Sequence, residues 1–389
     1  MNYLEYLPED KYQGTLIGRV WRTDEKPGPS VVLIKEGVVF DLSKNEPTSS
    51  DLLNHNPEEI VNFAVNAEQI GSYEEIMKNT INLTSDRSKT HFISPIDLQN
   101  IKACGVTFMV SMLERVIEES ARGDAAKAES IRNKIHANIG TDLSELVPGS
   151  EQAMELKKML ISEGIWSQYM EVGIGPDAEV FTKSQPMSSV GIGDFVGIHP
   201  VSSWNNPEPE IVMIVNSEGK VVGATLGNDV NLRDIEGRSA LLLGKAKDNN
   251  ASCSIGPFIR LFDDSFSIDD VRKAEVSLSV TNEKDSFEMR DASYMTKISR
   301  DVLDLVGQTK NDNHQYPDGF ALFTGTLFAP TQDRDNPGEG FTHKIGDQVS
   351  ISTSKLGKLT NTVTHSNIAP PWKFGISALI RNLKDRELL

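Results

Sequence analysis

From Tyr169 onward, glycine turns cut the chain into short runs rich in β-branched residues, such as SSVGIGDFVGIHP, EIVMIVNSEGKVVGATLG, GFALFTGTLFAP and DQVSISTSKLGKLTNTV. Runs of that length, separated by turns at that spacing, predict an all-β core. NSEG between two apolar β-branched runs reads as a hairpin. A curled sheet or β-barrel with helices at its entrance is therefore expected, with one helical interruption at Ser267 to Lys273. Ahead of it, Gln13 to Leu42 also favours strands. The polar stretch TSDRSKTHFISP closes on a proline and marks a plausible boundary. We expect a small mostly-β amino-terminal domain over 1–90 and a larger second domain over 91–389. Phe108 to Gly123 reads as an amphipathic helix, because Phe108, Met109, Met112, Leu113, Val116 and Ile117 make one apolar stripe. The charged stretches up to Gly164 read as a helical insertion. The fold class is thus α+β and β-rich.

Composition narrows the functions. In 389 residues, 56 acidic side chains outnumber 39 basic ones, for a net charge of −17. That balance argues against a nucleic-acid partner, which needs clustered Lys and Arg. No apolar run approaches the ~18 residues that span a membrane. The start, MNYLEYLPEDK, has neither a basic nor an apolar leader region, so a cytoplasmic setting is expected. Two cysteines, Cys104 and Cys253, are too few for a disulfide framework or a structural zinc. GIGDFVG lacks the dinucleotide spacing, and GRSALLLGKAK departs from a P-loop in glycine spacing and in Ala246, where magnesium needs Ser or Thr. The seven histidines are scattered without ligand spacing.

One constellation carries chemistry. In NNPEPEIVMIV, Glu208 and Glu210 flank Pro209 at the mouth of an apolar strand. A period of two puts both carboxylates on one face, their Cα atoms roughly 7 Å apart. Pro209 cannot donate to a ladder, which places the pair at a strand start or edge. Two like charges so close repel unless a cation bridges them. After the hairpin, VVGATL runs into GNDVNLRDIEGR, and antiparallel pairing returns Asp229 to their neighbourhood. Three carboxylates on rigid strand ends suit a hard divalent ion, magnesium or manganese.

The order EPE, NDVNLRD, AKDNNASCSIGPF, TGT and GD…V…LGKLTNTV resembles the fumarylacetoacetate hydrolase superfamily over roughly residues 96 to 389. The resemblance implies a mixed β-roll with a helical lid, a magnesium or manganese ion, and 2-oxo or β-diketo acid substrates. Glu208, Glu210 and Asp229 match its metal ligands. Arg233 and Lys247 match groups that hold the developing enolate oxygen, and Thr326 matches a substrate contact. An ion pair of Arg233 with Asp234 is the alternative for that arginine. Hydrolases of the family carry a lid histidine followed by a glutamate that together activate water. In CGVTFMVSMLER, Ser111 stands at the histidine position and Glu114 at the glutamate position. Glu236 stands where glutamine is frequent.

A branch without that histidine, the 2-keto-3-deoxy-pentonate dehydratases, is similar in GVTF, in the EES that follows, in EVGIGPDAEVFTKSQPMSSVGIG and in length. The resemblance then implies dehydration of a 2-keto-3-deoxy-pentonate to 2,5-dioxopentanoate. Lys247 would hold the enolate, Glu114 and Glu119 would be the acid–base candidates, and Ser111 would bind a substrate hydroxyl. The alternatives are an acylpyruvate-type C–C hydrolase or an oxaloacetate decarboxylase on the same scaffold, and a non-catalytic sugar-acid-binding protein. A small 2-oxo sugar acid is the expected partner, and a homodimer or homotetramer the expected assembly.

Overall fold

The structure is a computed structural model that describes residues 2–122, 124, 127, 146–162, 167–328, 332–335 and 340–389, apart from the side chains of Val110, Ser111, Leu113 and Glu118. Its strands are β1 (Leu16–Arg22), β2 (Gly28–Lys35), β3 (Val38–Asp41), β4 (Glu68–Ser72), β5 (His91–Ile93), β6 (Asn100–Gly105), β7 (Glu179–Ser184), β8 (Phe195–Ile198) and β9 (Asn205–Asn206). They continue as β10 (Pro209–Val215), β11 (Val221–Asp229), β12 (Asn231–Leu232), β13 (Cys253–Leu261), β14 (Glu275–Asn282), β15 (Phe287–Tyr294), β16 (Phe320–Phe323), β17 (Gln348–Thr353) and β18 (Gly357–His365). The main sheet runs β4-β3-β2-β1-β13-β11-β10-β16-β6-β7, with β5 beside β1. A second sheet runs β15-β14-β17-β18-β8, and β9 pairs β12. This is the β-rich α+β architecture that the glycine-punctuated runs predict. The meander β1–β4 enters the main sheet where Leu16 and Ile17 of β1 pair with Arg260 and Ile259 of β13.

Burial follows the sequence pattern. The unbroken apolar run of β10 is buried at every position, as a strand covered on both faces requires. Its alternate residues enter separate cores. Ile211, Met213 and Val215 face the core shared with Leu278, Val280 and Ile351 of the second sheet. Val212 and Ile214 face a smaller core with Leu52, Leu53 and Ile60. By contrast, β14 and β17 alternate buried and half-exposed residues, the pattern of a sheet with one face toward solvent.

The helix expected over 108–123 runs Met109–Ala121, and we call it the lid helix. Its Met109, Met112 and Val116 pack on Leu146, Ala153, Leu160, Tyr169, Met170 and Ile174. The interruption expected at 267–273 is the helix Ile268–Arg272. No helix among the described residues is long and apolar enough to cross a membrane.

Candidate metal centre and active site

The hairpin of β10 and β11 sets Pro209 opposite Asn228 and Glu210 opposite Gly227, and the Asp229 N–H donates to the Glu208 carbonyl at 3.0 Å. This register brings one oxygen of Glu208, Glu210 and Asp229 within 4.8 Å of one another, and all three residues are buried. On the other side of β10, β16 ends in the TGT turn, where the Gly325 N–H donates to Glu210 Oε2 at 2.5 Å. Gly325 has φ +90°, and a Cβ there would stand 2.0 Å from Thr107 Oγ1. Only glycine meets both demands. Gly325→Ala should therefore lower stability by on the order of 1–3 kcal/mol and weaken divalent-ion binding. An unchanged melting temperature and an unchanged titration would show that the turn tolerates a side chain.

Cations surround these carboxylates. Lys247 ends the short helix Leu243–Lys247, and its Nζ lies 2.5 Å from Glu208 Oε2 and 2.9 Å from Asp229 Oδ2. Arg115 of the lid helix reaches Glu208 Oε1 at 2.5 Å and Glu236 Oε2 at 3.0 Å. Lys183 of β7 lies 2.8 Å from Asp229 Oδ1. That contact joins strands separated by β10, β16 and β6 in hydrogen-bond order, so this end of the sheet curls around the site.

Burial and the negative charges of Asp229 and Glu208 push the Glu210 carboxyl well above its usual range. Burial also raises Glu208, against the pull of Lys247 and Arg115. Asp229 is buried too, but Lys183 and Lys247 outweigh that and hold it low. Glu179, at the start of β7, is pushed up to about 7, first by burial and then by the charge of Glu236. Gly105 lets it approach, since a Cβ there would stand 2.0 Å from Glu179 Oε2.

The donor set fits a hard divalent cation. Glu179, Glu208, Glu210, Asp229 and Glu236 face the cations Arg115, Lys247 and Lys183. With all five carboxylates ionised, the three cations leave two negative charges, which one divalent ion would neutralise. All-oxygen donors at one point are the ligand chemistry of magnesium or manganese. Cys104, Gly105, Val106, Phe181, Gly325 and Thr326 complete the lining of a cavity of about 20 Å³. That is room for a water or an ion. A wider groove of about 740 Å³, between Gln13, Asn56 and Phe262, holds no convergent cations among the described residues.

Of the residues singled out in the sequence, Glu208, Glu210, Asp229, Lys247 and Thr326 meet at this cavity. Arg233 and Glu114 do not line it. Arg233 stacks on Trp204, 4.2 Å from the ring centroid, with its Nη2 3.5 Å from Glu114 Oε2. Asp234, the alternative partner of Arg233, accepts from Ser202 and Ser203 instead. Glu119 lies outside the lining and accepts from Gln168 Nε2 at 2.7 Å. Ser111 belongs to the lid helix, but its side chain lies outside the described residues. Sequence reasoning missed Arg115, Glu179 and Lys183 as site residues. One signal was present: in EVFTKS, a period of two puts Glu179, Phe181 and Lys183 on one face, two charges in alternation with no amphipathic purpose.

Residues 174–364 match a family model described as fumarylacetoacetate (FAA) hydrolase C-terminal. The chain is 31% identical over 235 residues to a probable 2-keto-3-deoxyxylonate dehydratase of Haloferax volcanii, across 59% of this chain and 75% of that protein. It is 30% identical over 185 residues to a 2-dehydro-3-deoxy-D-arabinonate dehydratase of Saccharolobus solfataricus, across 48% of this chain and 58% of the relative. Its fold resembles that of a 2-keto-3-deoxy-D-arabinonate dehydratase complexed with magnesium and 2,5-dioxopentanoate. The TM-score is 0.60 at 20% identity, over 90% of this chain and 99% of the other.

Proposed function

Because the chain belongs to the fumarylacetoacetate hydrolase family, we propose that it is a metal-dependent dehydratase that converts a 2-keto-3-deoxy-pentonate to 2,5-dioxopentanoate. The observation that carries this reading is the buried triad Glu208, Glu210 and Asp229 with Lys247 against it. The names of both curated relatives point the same way.

Glu208, Glu210 and Asp229 would hold magnesium or manganese, which when bound supplies a Lewis acid for the carbonyl of a 2-oxo acid. The chain's own residues do the rest. Lys247 donates to the oxygen at C2 as negative charge develops there. Glu179 takes the proton from C3, and the C3–H electron pair moves toward C2. A carboxyl held up to about 7 is matched to proton transfer near neutrality. The proton on Glu179 is then available to the C4 hydroxyl, which leaves as water. Loss of a C5 proton and tautomerisation complete the product. Glu114, expected as an acid–base group, is engaged with Arg233, and in this reading the two brace the lid helix against the short helix Arg233–Glu236.

Hydrolysis would need a base that makes hydroxide, and no histidine lines the cavity among the described residues. The test presents 2-keto-3-deoxy-pentonates and acylpyruvates side by side with Mg²⁺, with and without a chelator. A semialdehyde product that depends on the ion, with acylpyruvates left intact, is expected. Efficient acylpyruvate cleavage without dehydration would sink the proposal.

A further inference from the structure

We infer that Lys183 is a positioning residue of the centre: it decides which oxygen of Asp229 faces the ion and holds in place the chain that carries Lys247. The inference rests on the metal reading proposed above.

The Lys183 side chain is fully buried on β7, with no exposed surface. Its ammonium meets four groups from three pieces of chain. Nζ lies 2.8 Å from Asp229 Oδ1 and donates to the Val230 carbonyl at 3.2 Å. It also donates to the Lys247 carbonyl and stands 3.5 Å from Ser252 Oγ. Ser252 Oγ in turn lies 2.7 Å from the same Lys247 carbonyl and 2.9 Å from that of Asn249, with one proton to give to either. One cation thus ties the end of β11 to the end of the helix that carries Lys247.

The two oxygens of Asp229 are thereby made different. Oδ1 is held by Lys183, which is not among the residues that line the cavity. Oδ2 faces the cavity, where its contact is Lys247. An ion entering the cavity competes with Lys247 for Oδ2, while Lys183 keeps the carboxylate from rotating. Burying an ammonium is costly unless it is paired and hydrogen-bonded, and here Asp229 and two backbone carbonyls are its partners. Orientation of a ligand from behind is a role that only the charge performs.

The experiment titrates Mn²⁺ into the full-length protein by calorimetry and measures turnover in parallel. Lys183→Met keeps the length and removes the charge, and its Kd for Mn²⁺ should weaken by roughly 10- to 100-fold, the scale for losing a partner of a metal ligand. In an Asp229→Asn background, Lys183→Met should add less than about threefold, because its effect passes through Asp229. A merely structural role would instead multiply the two effects. If Lys183→Met does not fold, Lys183→Gln, which keeps a donor for the carbonyls, should show the same weakening. Two unfolded variants would assign Lys183 to the fold and overturn the inference. A folded Lys183→Met with the wild-type Kd would overturn it as well. Failure of the wild type to bind Mn²⁺ would overturn the metal reading itself, a different result from wild-type binding with an unaffected variant.

Discussion

Glu179→Gln should lower turnover of a 2-keto-3-deoxy-pentonate by roughly two to four orders of magnitude, the range for losing a positioned general base. The amide keeps the shape of the side chain at the mouth of β7 and cannot take a proton. Glu179 is not one of the three triad carboxylates, so Mn²⁺ should still bind, and the loss should fall on kcat. The pH profile supplies a second check. Burial and Glu236 hold the carboxyl up to about 7, and a base works only when ionised. Activity should therefore rise with pH through an acid limb, at or below pH 7 because a bound cation draws the carboxyl lower. That limb should be missing from whatever activity the Gln variant retains. Turnover within threefold of the parent would remove Glu179 from the mechanism.

Lys247→Met should reduce turnover by about two to three orders of magnitude, the usual scale for losing a donor to a developing oxyanion. Burial alone would push this ammonium down, but Asp229, Glu208 and Glu236 together hold it well above the usual lysine value. It is a cation at any working pH. The variant keeps the stem, so the helix Leu243–Lys247 should survive. Divalent-ion binding should persist, because the triad loses a competitor rather than a ligand. Activity within a factor of two of the parent would reduce Lys247 to a counter-charge for the ion-free carboxylates.

Much of the molecule was legible from local pattern. The apolar run of β10, the NSEG turn and the return strand β11 are consecutive, and their pairing follows from a period of two and a short loop. Glu208, Glu210 and Asp229 lie on that one hairpin, so their convergence needed no knowledge of the rest of the sheet. The lid helix was legible for the same reason, since Met109, Met112 and Val116 recur at helical spacing and are buried.

The roles around the triad were harder to read. Glu114 stands out in the sequence as a motif position, yet its neighbour Arg115 reaches Glu208 and Glu236, while Glu114 turns to Arg233. Adjacent residues on a helix point about 100° apart. Which of them faces the cavity depends on how the helix is rolled on Tyr169, Met170 and Ile174, a packing outcome that its own periodicity does not contain.

The sequence by itself determined the strand-rich class, the hairpin and the cluster of three carboxylates, because each depends on contacts between residues close along the chain. Only the tertiary structure decided which charges balance that cluster. Glu179 and Lys183 arrive from β7, whose neighbour in the sheet is β6, and β6 in turn pairs in parallel with β16. Such pairings join segments far apart in sequence and are selected by global burial, which no local period records. The curl that then carries Lys183 to Asp229 is a property of the whole sheet, and the site's electrostatics are set there.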